Sequence, residues 1–475
     1  MKAWLGMLLL VGLIDASVAS SAGGDSFSQW KAAQQRAFQD QMTRRQQLFR
    51  NMLSEDWTAV TAEPGQVRDP LPKPFSPPVK DGGKKPLAVP LADDMPEVIT
   101  DPVPLLPQQG KALVFLGHSL LAPEWEWATV SDYDSPKGLV RGYERLTATR
   151  YQDTVRWLRE QRQGLALGDW GLWKLVQAVS ESGHSTDGMQ ATVRQWFLLS
   201  ELGWDVRLGY RQSKVVLLAR TAQPVYGLAY YPVDGLAYYD LADVISAGES
   251  LSIHGQVSDS QPVDFAFYRH PVTVPDLQER LLRHGDELLS LEFDRELVRY
   301  YQGHPTVDLA FYFAAPVSEH VAQSLRASWA RLEGRYTRPL DKLNALMRLV
   351  QFGLPYETDQ EQFGREYYQL PDELLFHSAA DCEDRSIFLV QALRLLLKVN
   401  AVGLLYPGHV AVAVDMPGEG DRQTVGRSAW LVADPTYIGA LAGQTMPAFA
   451  GVIPEVIGAP VAGRWSSITS GGAGG

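Results

Sequence analysis

One cysteine, one histidine and one aspartate stand out by their order and surroundings. Cys382 is the only cysteine in the 475-residue chain. It lies in Ala379-Ala380-Asp381-Cys382-Glu383-Asp384-Arg385-Ser386, just ahead of an apolar run at 387–397 that reads as a helix. A sulfur at a helix start faces unpaired backbone N–H groups and the positive end of the dipole, and both favour thiolate. Asp381, Glu383 and Asp384 push the other way by like charge, so a nearby base is needed. His409 opens an apolar strand, and Asp434 closes the strand at 429–433. Together these residues suit nucleophilic acyl chemistry. Cys382 attacks a carbonyl, His409 takes and returns the proton, and Asp434 orients the imidazole. The Cys382 backbone N–H is a natural oxyanion donor. Taken singly, His409 reads as a core or turn histidine and Asp434 as a turn before Pro435. Their order relative to the cysteine is what makes a triad. The charged neighbours of Cys382 also predict an accessible thiol rather than a buried filler.

The elements that must position these groups are readable. A long helix starts near Asp341, a loop follows, and the helix after Cys382 leads into strands at 402–406 and from His409 onward. This order, Cys opening a helix with His and Asp on the next two strands, resembles the transglutaminase-like superfamily over about 340–450. Asp434-Pro435-Thr436 is similar to that family's Asp-Pro-Thr, and Cys382-Glu383-Asp384 to its Cys-x-Asp. The run from Cys382 through Pro407-Gly408-His409-Val410 to Met446-Pro447 resembles a bacterial exported subgroup. Ala380 departs from the glycine common two residues before the nucleophile. Val410-Ala411 departs from the aromatic that often follows the histidine. The resemblance implies papain-type chemistry and an oxyanion side chain upstream of the cysteine. Tyr367, Tyr368 and Gln369 are the candidates, and the sequence does not choose among them. His377 reads as a solvated loop histidine.

The middle of the chain echoes this plan. Ser185-Thr186-Asp187-Gly188 precedes a helix, and strand-like runs follow at 206–210, 215–219 and 235–241. A gapless shift of 196 pairs Cys382 with Thr186 and His409 with Ser213, so such a copy lacks both thiol and imidazole. Thr149-Arg150…Asp153 and Thr337-Arg338…Asp341 add an upstream echo.

The expected fold class is α/β (α+β): two transglutaminase-like lobes, each a helix bundle on an antiparallel sheet, joined by a β-rich connector. The expected divisions are a signal peptide at 1–19, an N-terminal helix at 25–57 and a proline-rich linker at 58–108. A degenerate lobe at 109–245, a connector at 246–335 and a catalytic lobe at 336–475 follow. The leader reads from a charged start, a short apolar stretch and small residues to Ala19, too short for a membrane span. Residues 112–116 read as a buried strand. Runs at 251–257, 263–268 and 307–313 read as connector strands, closed by a helix at 317–334.

Composition bounds the rest. A net charge of −12 argues against nucleic acid as the main partner. One cysteine excludes a disulfide within the chain and a thiolate metal cage. The nine histidines show no metal-ligand spacing, and no Walker or dinucleotide glycine pattern occurs, so neither metal nor cofactor is expected. The sequence therefore predicts an exported, periplasmic thiol enzyme that cleaves or transfers peptide or isopeptide bonds on a protein or peptide of the cell envelope. The 25–57 helix and the proline-rich arm are candidate contacts for an envelope protein. A non-catalytic envelope scaffold or adaptor is the alternative.

Overall fold

The computed structural model describes residues 57–66, 110–124, 135–182, 188–211, 214–242, 246–254, 260–267 and 269–458, with scattered positions between 43 and 54. The expected leader and most of the proline-rich segment lie outside these residues, as does the first half of the N-terminal helix. Its described positions are helical and pack back on the chain. Leu53 is fully buried, and Arg50 Nε lies 2.9 Å from a Glu144 carboxylate oxygen. The first strand, β1 (Thr58–Thr61), falls where the sequence reads the start of the linker. Alternation in Thr-Ala-Val-Thr lets Val60 face apolar neighbours while the strand hydrogen-bonds a sheet edge.

A hairpin of β2 (Lys111–Phe115) and β3 (His118–Ala122) comes next. The expectation of a buried strand at 112–116 fails, because Val114 is 74% exposed and only alternate residues turn inward. Four helices follow: α1 (Pro136–Thr147), α2 (Tyr151–Gly164), α3 (Asp169–Glu181) and α4 (Gly188–Leu202). Five strands complete this middle lobe: β4 (Val206–Arg211), β5 (Lys214–Arg220), β6 (Tyr230–Val233), β7 (Leu236–Asp240) and β8 (Ser250–Ile253).

The connector is more helical than its residue pattern suggests. A hairpin of β9 (Leu277–His284) and β10 (Glu287–Asp294) leads to α5 (Arg295–Tyr301), α6 (Leu309–Ala314) and α7 (Glu319–Ala330). The run at 307–313 is thus mainly helical: Asp308 caps the Ala310 N–H, and Leu309, Tyr312 and Phe313 bury one face. The described part of the run at 263–268 joins no named strand, and its Val263 bridges Thr221 just beyond β5. Ser324 and Ser328 of α7 accept the β10 N–H groups of Glu292 and Ser290, at 2.9 and 3.1 Å, which covers an edge that would otherwise stay open.

The last lobe contains α8 (Pro339–Gly353), α9 (Asp359–Gln362), α10 (Pro371–Phe376) and α11 (Cys382–Leu396). Strands β11 (Ala401–Tyr406), β12 (His409–Val414), β13 (Arg422–Val425), β14 (Ser428–Ala433) and β15 (Glu455–Ile457) follow. Gly408, at φ +70°, sits in the tight turn between β11 and β12, where a side chain would be strained.

The two lobe sheets share one plan. The first runs β8-β4-β5-β7-β6, with β1 added outside β8, and the second runs β15-β11-β12-β14-β13. In each, the fifth strand pairs with the first, the first with the second, the second with the fourth and the fourth with the third, all antiparallel. Each sheet is preceded by a 15-residue helix packed on its first hairpin. Each lobe also carries an Arg–Asp pair at the start of an earlier helix, Arg150–Asp153 at 2.9 Å and Arg338–Asp341 at 2.7 Å. One apolar core runs through both lobes and the connector.

Candidate active site

Cys382 is the first residue of α11, and Ser386 lies one turn further on. The Ser386 hydroxyl donates to the Val410 carbonyl at 3.1 Å. Hydrogen bonding from the Val410 backbone also reaches the Cys382 sulfur. The first turn of α11 therefore docks on the start of β12, bringing Cys382 beside the residue that follows His409. The thiol donates to a Glu383 carboxylate oxygen at 2.9 Å. Burial first, then the charges of Glu383 and Asp381, hold the thiol well above the usual cysteine range.

His409 and Asp434 meet directly, with His409 Nε2 2.8 Å from Asp434 Oδ2. The second carboxylate oxygen accepts the Thr436 and Tyr437 N–H groups at 2.9 and 3.1 Å, so the Asp-Pro-Thr turn locks the aspartate in place. Phe449 lies parallel to the imidazole, 4.9 Å away with an interplanar angle of 8°. With Nε2 donating to Asp434, Nδ1 is left as the basic nitrogen; it has no hydrogen bond among the described residues. Gln351 supports this arrangement from α8, its amide donating to the carbonyls of Asp434, Tyr437 and Ala440. Sequence reasoning passes over Gln351, because a glutamine inside an apolar helix face carries no local signal.

The expectation of an accessible thiol is not met. Cys382 is 2% exposed, and Asp381, Glu383, Asp384 and Arg385 are buried with it. The helix start is enclosed by α8, α10 and the sheet, so the charges mark a polar interior rather than a surface. Asp359 and Glu366 join this acidic collar: oxygens of Asp359, Asp381 and Asp384 lie within 4.8 Å of one another, as do those of Asp359, Glu366 and Glu383, and a third set joins Asp381 and Glu383 to the Cys382 sulfur. Burial, then the charges of Asp381 and Asp384, push the Asp359 carboxyl up to about 11. Burial likewise raises Asp381, Glu383 and Asp384 well above the carboxylate range. Arg385 does not pair with them. Its Nε and an Nη donate to the carbonyls of Ala380 and Leu354 at 3.2 and 2.7 Å. Neither Asp381 oxygen has a hydrogen-bond partner, and one Asp384 oxygen is also orphaned. Orphaned, buried carboxylate oxygens in a convergent all-oxygen set fit a hard divalent cation of the calcium type. Lone acids scattered through 359–384 give no such signal in the sequence.

The three oxyanion candidates separate in space. The Tyr367 hydroxyl donates to Glu373, and the Tyr368 ring packs on Tyr312 at 5.2 Å. The Gln369 side chain bonds the segment leading to the cysteine, donating to the Ala379 carbonyl at 3.4 Å. His377 is half-buried among Phe363, Tyr367 and Phe376 rather than solvated, and burial lowers its pKa.

Strand register identifies what the middle lobe carries instead. Tyr406↔His409 closes the β11–β12 hairpin, and Arg211↔Lys214 closes β4–β5, so His409 corresponds to Lys214, a shift of 195 rather than 196. Continuing the same registers sets Asp434 opposite Ala411 and Ala242 opposite Val216, so Asp434 corresponds to Ala242. Lysine and alanine cannot replace the imidazole and the carboxylate, and the chain's single thiol is Cys382. Comparison with family models, curated proteins and solved structures finds no match for the chain.

Proposed function

We propose that the chain is an exported thiol enzyme of transglutaminase-like type that cleaves peptide or isopeptide bonds on an envelope protein or peptide. The His409–Asp434 pair, on strands against which the cysteine's helix docks, carries this reading. Cys382 Sγ attacks the carbonyl carbon while His409 Nδ1 takes the thiol proton. The oxyanion turns toward the Cys382 N–H and the Gln369 amide. Collapse expels the amine, which takes the proton from His409, and leaves a thioester. Water, deprotonated by the same imidazole, then releases the acid and restores the thiol. Hydrolysis rather than transfer is the reading because no feature supplies an amine acceptor.

A divalent cation held by Asp359, Asp381, Glu383 and Asp384 would supply the positive charge that lets a thiolate exist beside the collar. Glu383, drawn to the cation, would release the thiol. The second reading, a non-catalytic envelope scaffold, is favoured by the 2% exposure of Cys382 and by the triad-free middle lobe. Cleavage of a quenched-fluorescence peptide and isopeptide panel, with calcium present, tests the choice. The enzyme reading expects turnover that Cys382→Ala abolishes. Turnover that survives in Cys382→Ala, or a panel left uncleaved by the parent protein, supports the scaffold instead.

A further inference from the structure

A cavity of about 410 Å³ lies away from the triad, between the start of α3, residues 264–267 with Arg269, and the end of α5. That volume suits a small ligand or one or two peptide residues. Its walls are largely aromatic, with Trp170, Phe265 and Phe267 around the His304 imidazole, and two carboxylates, Asp169 and Asp264, line it as well.

His304 is 7% exposed. The Trp170 ring meets it edge-on at 5.5 Å, and Phe267 lies tilted against it at 4.6 Å. Its Nδ1 lies 2.8 Å from the Pro305 carbonyl, which can only accept, so Nδ1 carries the proton. Burial keeps the ring neutral, with its pKa lowered to about 4. Nε2 is then a bare acceptor, and it has no hydrogen bond among the described residues. An acceptor fixed in an aromatic cage selects a ligand N–H or O–H.

The rim holds two guanidinium groups. Arg162 is neutralised by Asp169 at 2.6 Å. Asp169 also accepts the Asp264 N–H at 2.8 Å, which ties the two sides of the mouth together. Arg269 is exposed and has no ion pair or hydrogen bond among the described residues. The cavity thus offers one free cation, one buried acceptor and an aromatic wall. A peptide's last residue carries the complement of each: a carboxylate, a backbone N–H and, where apolar, a side chain that fills the cage.

We infer that this cavity binds the free C-terminal residue of a peptide with an aromatic or large aliphatic side chain. Its carboxylate meets Arg269, its N–H meets His304 Nε2, and its side chain lies against Trp170, Phe265 and Phe267. The inference does not depend on the thiol chemistry, because none of these residues belongs to the triad or the acidic collar.

Calorimetry on the full chain carrying Cys382→Ala, titrated with N-acetyl-Ala-Phe and separately with its C-terminal amide, tests it. The acid should bind at least tenfold tighter than the amide, since a charge-assisted hydrogen bond contributes more than a neutral one. Arg269→Ala, a surface change that spares the fold, should remove that tenfold difference. His304→Phe, checked for an unchanged melting temperature, should weaken acid and amide alike by about tenfold. Equal binding of acid and amide, acid preference that persists in Arg269→Ala, or no binding of either peptide at millimolar concentration would overturn the inference. Because Cys382 is already replaced, none of these outcomes bears on whether the triad is active.

Discussion

Without a cation, the acidic collar should make the protein less stable as pH rises above neutrality. Asp359, Asp381, Glu383 and Asp384 are all held above their ordinary range by burial and mutual repulsion. In the unfolded chain these groups ionise near pH 4. Between that pH and the folded value, the folded state binds more protons than the unfolded state. Stability from these groups is then fully present below pH 4 and is lost as pH rises. Each retained proton costs about 1.4 kcal/mol per pH unit, so one such proton removes about 2 kcal/mol between pH 7.5 and 9. That window lies above the histidine range, where His270 and His304, kept neutral by burial, would tilt the curve the other way. The assay is urea unfolding in chelator at pH 7.5, 8.2 and 9. Calcium at roughly 100 times its dissociation constant should add about 2.7 kcal/mol and flatten the slope. Asp381→Asn should stabilise the chelated protein at pH 9 and remove the calcium gain, because an amide stays neutral at that pH without holding a proton. Chelated stability that is flat or rising across the window would refute this account of the collar.

Other outcomes follow from the same geometry. Glu383→Ala removes the acceptor of the Cys382 thiol, and a neutral hydrogen bond of this kind contributes about 0.5–1.5 kcal/mol. Iodoacetamide alkylation at pH 8 should therefore quicken by roughly 2- to 10-fold. Asp434→Asn keeps the shape but loses the charge and tautomer control on His409, so turnover should fall by about 10³- to 10⁴-fold with little change in KM. Phe197→Ala empties a fully buried site against Tyr143 and Tyr151, and denaturant unfolding should register a loss of about 3–5 kcal/mol.

The triad's scaffold was legible because its signals are local. The apolar run after Cys382, the Pro-Gly turn before His409 and the β-rich stretch ending at Asp434 each fix one element within a few residues of the side chain they carry. The connector was harder. Its helix at Leu309–Ala314 is only six residues long, too few for a 3.6-residue period to separate from alternation, and a cap at Asp308 decides the outcome. Depth was not legible either. Asp381, Glu383, Asp384 and Arg385 read as a surface turn, yet tertiary packing buries all four. The cavity around His304 joins Arg162 to side chains more than 100 positions later, which no local pattern can announce. The repeat was half legible, since identities hinted at it while strand register corrected its shift and its matched residues.

The central claim is that Cys382 and His409 act as one acid–base unit. Thiol alkylation by iodoacetamide from pH 5 to pH 10, with saturating calcium, measures this most directly when the parent protein is compared with His409→Ala. The account predicts labelling of the parent well below pH 8 and a loss of at least tenfold on His409→Ala at pH 7. Slow labelling with the same pH profile in both proteins would contradict it.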